Sequence, residues 1–460
     1  MPRRPGVPLV AGACAFTLAV LATSVTNVAL PSIKADLGSG VAGLQWVVNG
    51  YSLLLASLLL SMGVLCDQRG ARRVLVGGLA LFAACGALGA AAPTLGLLVA
   101  AQVLKGAAGA ALIPAALAVV AHAYADPRRQ AAAVAAISGT AAIATAAGPV
   151  LAGLLIDTVS WRAIFSFDVV GALALLWIVA RHLEETPRAG ARHLDLPGQV
   201  LATTALAALT YGVIHSGIGG WASAGTLGPV ALALAAGAGF VAVERRSSAP
   251  MLPPALVRLR AFNTTALCAG LVNFAFYGEI FVLSLYLQDV RGLSPLATGA
   301  AFCCLAAAAG VSARPAGRLA GARGARLPGA VGCAIGALAV ARMSSASEDS
   351  AMAVVIAGLA LMGLGAGLAV PALTAGMVAG VPRAQTGIAS AGFTAARQCG
   401  GLLGVAVLGS LVASGPFLER MHASLAVAAA AMLAAAATSA LFVTDRPPAG
   451  ALAQAVPDLS

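Results

Sequence analysis

Apolar runs of about twenty residues recur along this chain, and each is broken by a short stretch carrying charge, Pro or Gly. A run of that length crosses the hydrocarbon core of a bilayer as one helix. Fourteen segments qualify or nearly do: Val7–Ala29, Leu44–Leu65, Val74–Ala92, Leu95–Ala121, Ala131–Ile156, Ile164–Ala180, Gly198–His215, Thr226–Val243, Thr264–Leu287, Leu296–Ala313, Leu327–Ala341, Ala351–Val378, Gly387–Ala413 and Ser424–Val443. The pattern predicts an all-α integral membrane protein. The first run begins just after Arg3 and Arg4 and continues to Leu30, too long for a signal-peptide core. It is expected to stay as helix 1, ended by Pro31.

Composition closes off other classes. Sixty per cent of the 460 residues are hydrophobic and 9% are charged. Soluble domains carry roughly a quarter charged residues, so a soluble chain this long would lack charge to cover its surface. The net charge of +11 does not point to nucleic acid. The basic residues sit in short clusters between apolar runs, not in one patch with interleaved aromatics. The eight cysteines lie in or beside apolar runs without a C-x-x-C spacing, which reads as small buried hydrophobes and no metal site.

Basic residues also orient the chain. Twenty of them, among them Arg3, Arg4, Arg188, Arg192, Arg383 and Arg446, fall on one side of the alternating segments. Five fall on the other: Lys34, Arg162, Arg291, Arg342 and Arg420. The rich side is the cytoplasmic one, which places both termini in the cytoplasm.

The two halves repeat. Gly63-Val-Leu-Cys-Asp-Gln-Arg-Gly-Ala-Arg72 returns as Gly317-Arg-Leu-Ala-Gly-Ala-Arg-Gly-Ala-Arg326, an offset of 254. Gly106-Ala-Ala-Gly-Ala-Ala-Leu-Ile-Pro114 returns as Gly363-Leu-Gly-Ala-Gly-Leu-Ala-Val-Pro371, an offset of 257. Parallel six-helix repeats are a transporter plan. The predicted organisation is a six-helix bundle over 1–182, linkers and two inserted helices over 183–262, a second bundle over 263–446 and a cytoplasmic tail over 447–460.

Charged and small residues within this frame carry the candidate chemistry. In the loop after the second run, Gly63 and Gly70 allow a tight turn and close helix approach, while Asp67, Arg69, Arg72 and Arg73 set both signs of charge at the membrane face. Pairing there can differ between two conformations, which makes the loop a conformational latch. Gly148 and Pro149 lie in a run dense in small residues, suited to close packing and a bend. Lys105, Glu279 and Arg397 fall deep inside spans, where each costs roughly 2.5–3.5 kcal/mol unless it faces a cavity or a partner. Desolvation disfavours the charged form of a carboxyl such as Glu279, which suits it to loading and releasing a proton. A static ion pair with Lys105 or Arg397 is the equal alternative. Asp168 and Asp289 are placed at the far interface, at helix ends. Asn27, Asn49, Tyr51, Gln102, Asn273 and Tyr277 could line a solute path, although helix–helix hydrogen bonding accounts for each of them as well.

Taken in order, these and other stretches resemble the fourteen-helix drug:proton antiporter branch of the major facilitator superfamily. The resemblance is carried by Asn27-Val-Ala-Leu-Pro31, Gly63-x-Leu-x-Asp67-x-x-Gly70-x-Arg72-Arg73, Ala147-Gly148-Pro149-x-x-x-Gly153, Trp161-Arg162-x-Ile-Phe165, Asp195-Leu-Pro-Gly198, Tyr286-Leu-Gln288 and Ala396-Arg397-Gln398-x-Gly400-Gly401. It implies two six-helix bundles with two added helices, an antiporter motif at Gly148, Pro149 and Gly153, and proton-driven export of a lipophilic drug or antibiotic. Alternating access would work around a midplane site.

The chain also departs from that pattern. Ala22 stands where the branch carries an acidic residue, Gln102 and Lys105 stand where it carries Arg then Gln, and Gly321 replaces the second-loop Asp. Lys105 is expected to supply the missing cation, which leaves Glu279 as the leading carboxylate for proton coupling, with Arg397 as the third charge. No G-x-x-x-x-G-K-[ST] loop is present, so the expected energy source is the proton-motive force with no cofactor. The expected partners are a small-molecule substrate, protons and the lipid bilayer, with no nucleic acid, for a monomer in a plasma (inner) membrane. A nutrient or metabolite transporter on the same fold is the alternative. A polytopic enzyme or sensor is more remote, since the spans hold no paired carboxylates and no Ser/His/Asp set.

Overall fold

The computed structural model describes residues 6–124, 126–186, 194–247, 250–382 and 385–443. Arg3, Arg4, Arg188, Arg192, Arg383, Arg446 and the tail over 447–460 lie outside the described residues. Every regular element among those described is helical: α1 (Val7–Leu37), α2 (Val41–Arg69), α3 (Ala71–Ala90), α4 (Leu95–Ala123), α5 (Pro127–Thr158), α6 (Arg162–His182), α7 (Leu196–Gly219), α8 (Ala224–Arg246), the single turn α9 (Pro254–Val257), α10 (Arg260–Leu285), α11 (Pro295–Arg323), α12 (Arg326–Met343), α13 (Met352–Ala379), α14 (Thr386–Ala413) and α15 (Phe417–Phe442). Each of the fourteen apolar runs falls on one long helix. Among the described residues, thirteen helices are long and apolar enough to cross a membrane, and Ile143–Thr158 within α5 forms a shorter apolar stretch.

Local chemistry sets several ends. The Thr94 hydroxyl accepts from Leu97 N at 3.4 Å, and the Asp195 carboxylate accepts from Gly198 N at 3.0 Å, each capping a helix start. Gly38 closes α1 at φ 60°, a conformation that suits glycine.

Pro31 does not end α1, which runs on to Leu37. A proline inside a helix leaves the carbonyl four residues earlier without its usual donor. Here that carbonyl belongs to Asn27, and it accepts from the Ser284 hydroxyl at 2.6 Å instead. Next to it, Gln288 Nε2 donates to the Val28 carbonyl at 3.0 Å. In lipid the freed backbone oxygen must find such a donor, so a neighbouring helix lets α1 continue past the proline.

The chain divides into two compact units, residues 1–251 with 280–303, and residues 252–279 with 304–460. In the first unit, α4 packs on α2 where a Cβ at Gly106 would run into the Tyr51 carbonyl and one at Gly109 into the Tyr51 ring. In the second, a Cβ at Gly363 of α13 would run into the Leu305 carbonyl of α11, and one at Gly367 into the Ala309 carbonyl. The repeated glycine motif therefore makes the same kind of contact in each unit: small residues bring backbones together, the main source of helix cohesion where lipid removes the hydrophobic drive.

Candidate functional site

Lys105 of α4 and Asp168 of α6 form an ion pair, each 1% exposed. The Lys105 ammonium also lies 5.0 Å from the Phe82 ring centre and 5.1 Å from that of Phe165, so aromatic faces surround a cation already held by a carboxylate. The expectation that Asp168 sits at the far interface is corrected: it lies seven residues into α6 counting Arg162 as the first, fully inside the first unit. A lysine in a span needs a nearby anion, and Phe165 and Asp168 share one face of α6 at helical spacing. Lys105 is thereby engaged with a carboxylate that the sequence reading had not offered it.

A second knot ties the end of α1 to α6. Trp161 Nε1 donates to Asp36 Oδ2 at 3.0 Å, and Arg162 Nη1 donates to the same oxygen at 2.5 Å. Arg162 Nη2 reaches the Ala92 carbonyl at 3.2 Å, while its guanidinium lies 4.3 Å from the centre of the Trp161 ring. Trp161-Arg162 is thus a bracket for three helix ends. On α1, Lys34 pairs with Asp289 at 2.6 Å. Asp289 belongs to a π-helical turn, Tyr286–Val290, that continues α10 and contains the Tyr286-Leu-Gln288 motif. Single π turns are often found at functional sites.

The latch loop engages its own unit. Gly70 takes φ 92°, and a Cβ there would strike the Glu185 carboxylate. Ala71 N donates to the Thr186 hydroxyl at 2.6 Å, Arg72 Nη2 donates to the Ala180 carbonyl at 2.7 Å, and Arg73 pairs with Glu185 at 3.1 Å. The loop is fastened to the end of α6. Asp67 makes no hydrogen bond or ion pair among the described residues. Gly63 differs from the expectation of close approach: it lies inside α2 with nothing near the place a Cβ would occupy.

The small residues of α5 sit where its neighbours come close. A Cβ on Gly148 would meet Ser24 Oγ at 2.5 Å, and one on Gly153 would meet Leu296 Cα and the Pro295 carbonyl, each at 2.5 Å. Opposite, a Cβ on Gly299 would strike the Pro149 carbonyl. Leu296 N donates to Asp157 Oδ2 at 3.2 Å, and Cys303 Sγ lies 3.1 Å from the Ala146 carbonyl. The stretch around Gly148, Pro149 and Gly153 therefore seats the start of α11 backbone against backbone.

In the second unit, Glu279 of α10 is 2% exposed, and its Oε1 has no hydrogen-bond partner among the described residues. Arg397 of α14 is half-buried with an unpartnered Nε. Neither residue forms an ion pair among the described residues. Glycines bring the two helices together: a Cβ on Gly400 would meet the Gly270 carbonyl, one on Gly404 the Phe274 carbonyl, and one on Gly401 the Tyr277 ring at 2.7 Å. Asn273 Nδ2 is buried without a partner on the same helix as Glu279.

The other candidate path residues divide. The Tyr51 hydroxyl donates to the Ala19 carbonyl at 2.7 Å, and Gln102 Nε2 donates to the Val47 carbonyl at 3.1 Å, so both fasten helices. Asn27 Oδ1, both polar side-chain atoms of Asn49 and Gln102 Oε1 are buried without partners among the described residues. Such atoms are costly in a dry interior and suit a polar ligand or water.

The sequence reading also missed Gln199. Its amide donates to the Ser57 carbonyl at 3.0 Å and accepts from Ser61 at 2.5 Å, docking the inserted helix α7 on α2. Its signal was a lone Gln inside an apolar run. Among the described residues no group of three His, Cys, Asp or Glu could hold a metal ion.

A family model described as Major Facilitator Superfamily matches residues 12–405. The multidrug resistance protein Stp of Mycobacterium tuberculosis is 35% identical over 430 residues, covering 91% of this chain and 79% of that protein. The cephamycin export protein CmcT of Amycolatopsis lactamdurans is 37% identical over 414 residues, 88% of this chain and 85% of its own. The tetracenomycin C resistance and export protein of Streptomyces glaucescens is 33% identical over 412 residues, 89% and 76%. Among solved structures, a bacterial homologue of the human lysosomal transporter Spinster superposes with a TM-score of 0.71 at 15% identity, covering 97% of this chain and 98% of that one, which bears on the fold alone.

Proposed function

Since the chain belongs to the Major Facilitator Superfamily, and is thus a multi-pass membrane transporter and not an enzyme, we propose that it exports a small lipophilic drug or antibiotic in exchange for protons. The observation that carries the proton half of this reading is Glu279, a carboxyl inside a span with an unpartnered oxygen and no cation paired to it. Intramembrane ionisable residues mark ion and proton paths by default. A carboxyl that takes up a proton can change its exposure between two conformations without moving a bare charge through lipid. Lys105 is occupied by Asp168, so in this reading it holds α4 to α6, while α14, which carries Arg397, packs on the coupling carboxyl's helix through Gly400, Gly401 and Gly404. The export half rests on relatives named for multidrug resistance and antibiotic export.

In the same reading the protein acts as a monomer in a bacterial plasma membrane with both termini cytoplasmic. It draws on the proton-motive force with no cofactor and passes the solute by alternating access. Asn27, Asn49 and Gln102 offer polar atoms to the solute within the first unit, and Asn273 does so within the second. The latch loop and the glycines of α5 change their contacts as the conformation changes.

The test is growth of a drug-sensitive bacterial host across a panel of lipophilic antibiotics and dyes, with and without the chain. Resistance that a protonophore abolishes, and that Glu279→Gln removes while the protein remains in the membrane, supports the reading. Export that persists against a gradient in Glu279→Gln contradicts the assignment of that residue.

A further inference from the structure

Three arginines at and just before the second copy of the loop, Arg314, Arg318 and Arg323, are exposed and form no hydrogen bond or ion pair among the described residues. From residue 290 to residue 347 the chain holds no acidic residue, because Gly321 occupies the place that Asp67 has in the first copy. The described acidic residues of the second unit are Glu279, Glu348, Asp349 and Glu419. The last three sit at the other end of this unit. His422 beside Glu419 contacts the Ala346 carbonyl at 2.7 Å, whereas Ser439, at the far end of α15, donates to the Arg326 carbonyl at 3.2 Å. The arginines of α11 therefore have no described carboxylate at their own end of the unit.

These arginines rim an open cavity of about 710 Å³ lined by Arg314, Pro315, Arg318, Leu319, Ala322 and Arg323. Its lining alternates guanidinium groups with apolar side chains, as an amphiphilic anion requires. Depth agrees as well. The apolar run Leu296–Ala313 spans roughly 27 Å at about 1.5 Å per residue, close to the hydrocarbon thickness of a bilayer. The groove begins at the next residue, at headgroup level. Arginines there gain about 1 kcal/mol each from an anionic leaflet, and a guanidinium matches phosphate by paired N–H donors.

We propose that this groove at the end of α11 binds the phosphate of an anionic phospholipid headgroup, with Pro315, Leu319 and Ala322 against the glycerol backbone and headgroup. The lipid supplies the counter-charge that no described carboxylate supplies at this end of the unit. The site is independent of whether the transported solute is a drug.

Native mass spectrometry of the full chain in detergent tests this with phosphatidylglycerol, with phosphatidylcholine of the same acyl chains, and with soluble glycerol phosphate. The expected result is retention of phosphatidylglycerol over phosphatidylcholine. Each arginine removed should weaken retention about fivefold, so Arg318→Gln loses about fivefold and the triple change Arg314→Gln, Arg318→Gln, Arg323→Gln on the order of a hundredfold. Arg420→Gln, the same charge change away from the groove, should leave retention unaltered. A thermal melt reported by the buried thiols Cys268 and Cys333 establishes that each variant is folded. Equal retention of the two lipids, a folded triple variant that holds phosphatidylglycerol like the parent, or full displacement by millimolar glycerol phosphate would overturn the proposal. The last outcome would make the groove a site for a free phosphate.

Discussion

Replacing Asp168 by Leu leaves the Lys105 ammonium buried with only two aromatic faces for company. Removing one member of a buried ion pair costs about 3–5 kcal/mol, because the survivor is an uncompensated charge. Contact with Phe82 and Phe165 offsets part of that, about 0.5–1 kcal/mol per ring, so the expected loss is about 3 kcal/mol. At roughly 2 °C per kcal/mol for a large chain, the melting temperature should fall on the order of 6 °C. Lys105→Met alone should fall at least as far. The double change Lys105→Met with Asp168→Leu removes both charges together and should recover most of the loss, since an apolar pair of similar volume often matches a buried ion pair. Thermal unfolding in detergent, followed by a thiol-reactive dye, reads this directly, because Cys66 and Cys85 are free and buried in the same unit. A double variant that melts as low as either single one, or a single variant within a degree of the parent, would refute the reasoning.

Other expectations follow from the same contacts. Gly70→Ala should cost about 1–2 kcal/mol, since the residue holds φ 92° and its new Cβ meets Glu185; Arg73→Gln should cost under about 1 kcal/mol, because that arginine is more than half exposed. The same melting assay ranks the two, and the reverse order would contradict the account of the loop. Gly363→Ala forces a methyl group into the Leu305 carbonyl and should lower stability by about 1–3 kcal/mol. Gly310→Ala, with nothing near its Cβ in the same unit, should be neutral or gain up to about 1 kcal/mol. Equal effects at the two positions would show that the repeated glycine motif does not set helix approach.

Much of the fold was legible because lipid imposes one rule on every span, about twenty apolar residues with internal hydrogen bonds. All fourteen runs fall on long helices for that reason. The ends were less legible. Pro31 reads locally as a stop, and only Ser284, hundreds of residues away, lets the helix pass it. The charges show the same limit. Composition flags Lys105, Glu279 and Arg397 as expensive, but the partner of Lys105 depends on how α4 and α6 face each other, and the local sequence around Asp168 does not reveal its burial. The glycines of the repeats were visible as letters; that they meet Tyr51 and Leu305 was not. Gly63 shows the converse, a motif glycine whose surroundings are open.

The most direct test uses purified protein in sealed liposomes with a pH step across the membrane and a fluorescent lipophilic cation such as ethidium as the probe. The account predicts movement of the dye against its own gradient, driven by the imposed proton gradient, halted by a protonophore and lost in Glu279→Gln. Dye movement that is indifferent to the pH step, or that runs equally well in the variant, would contradict it.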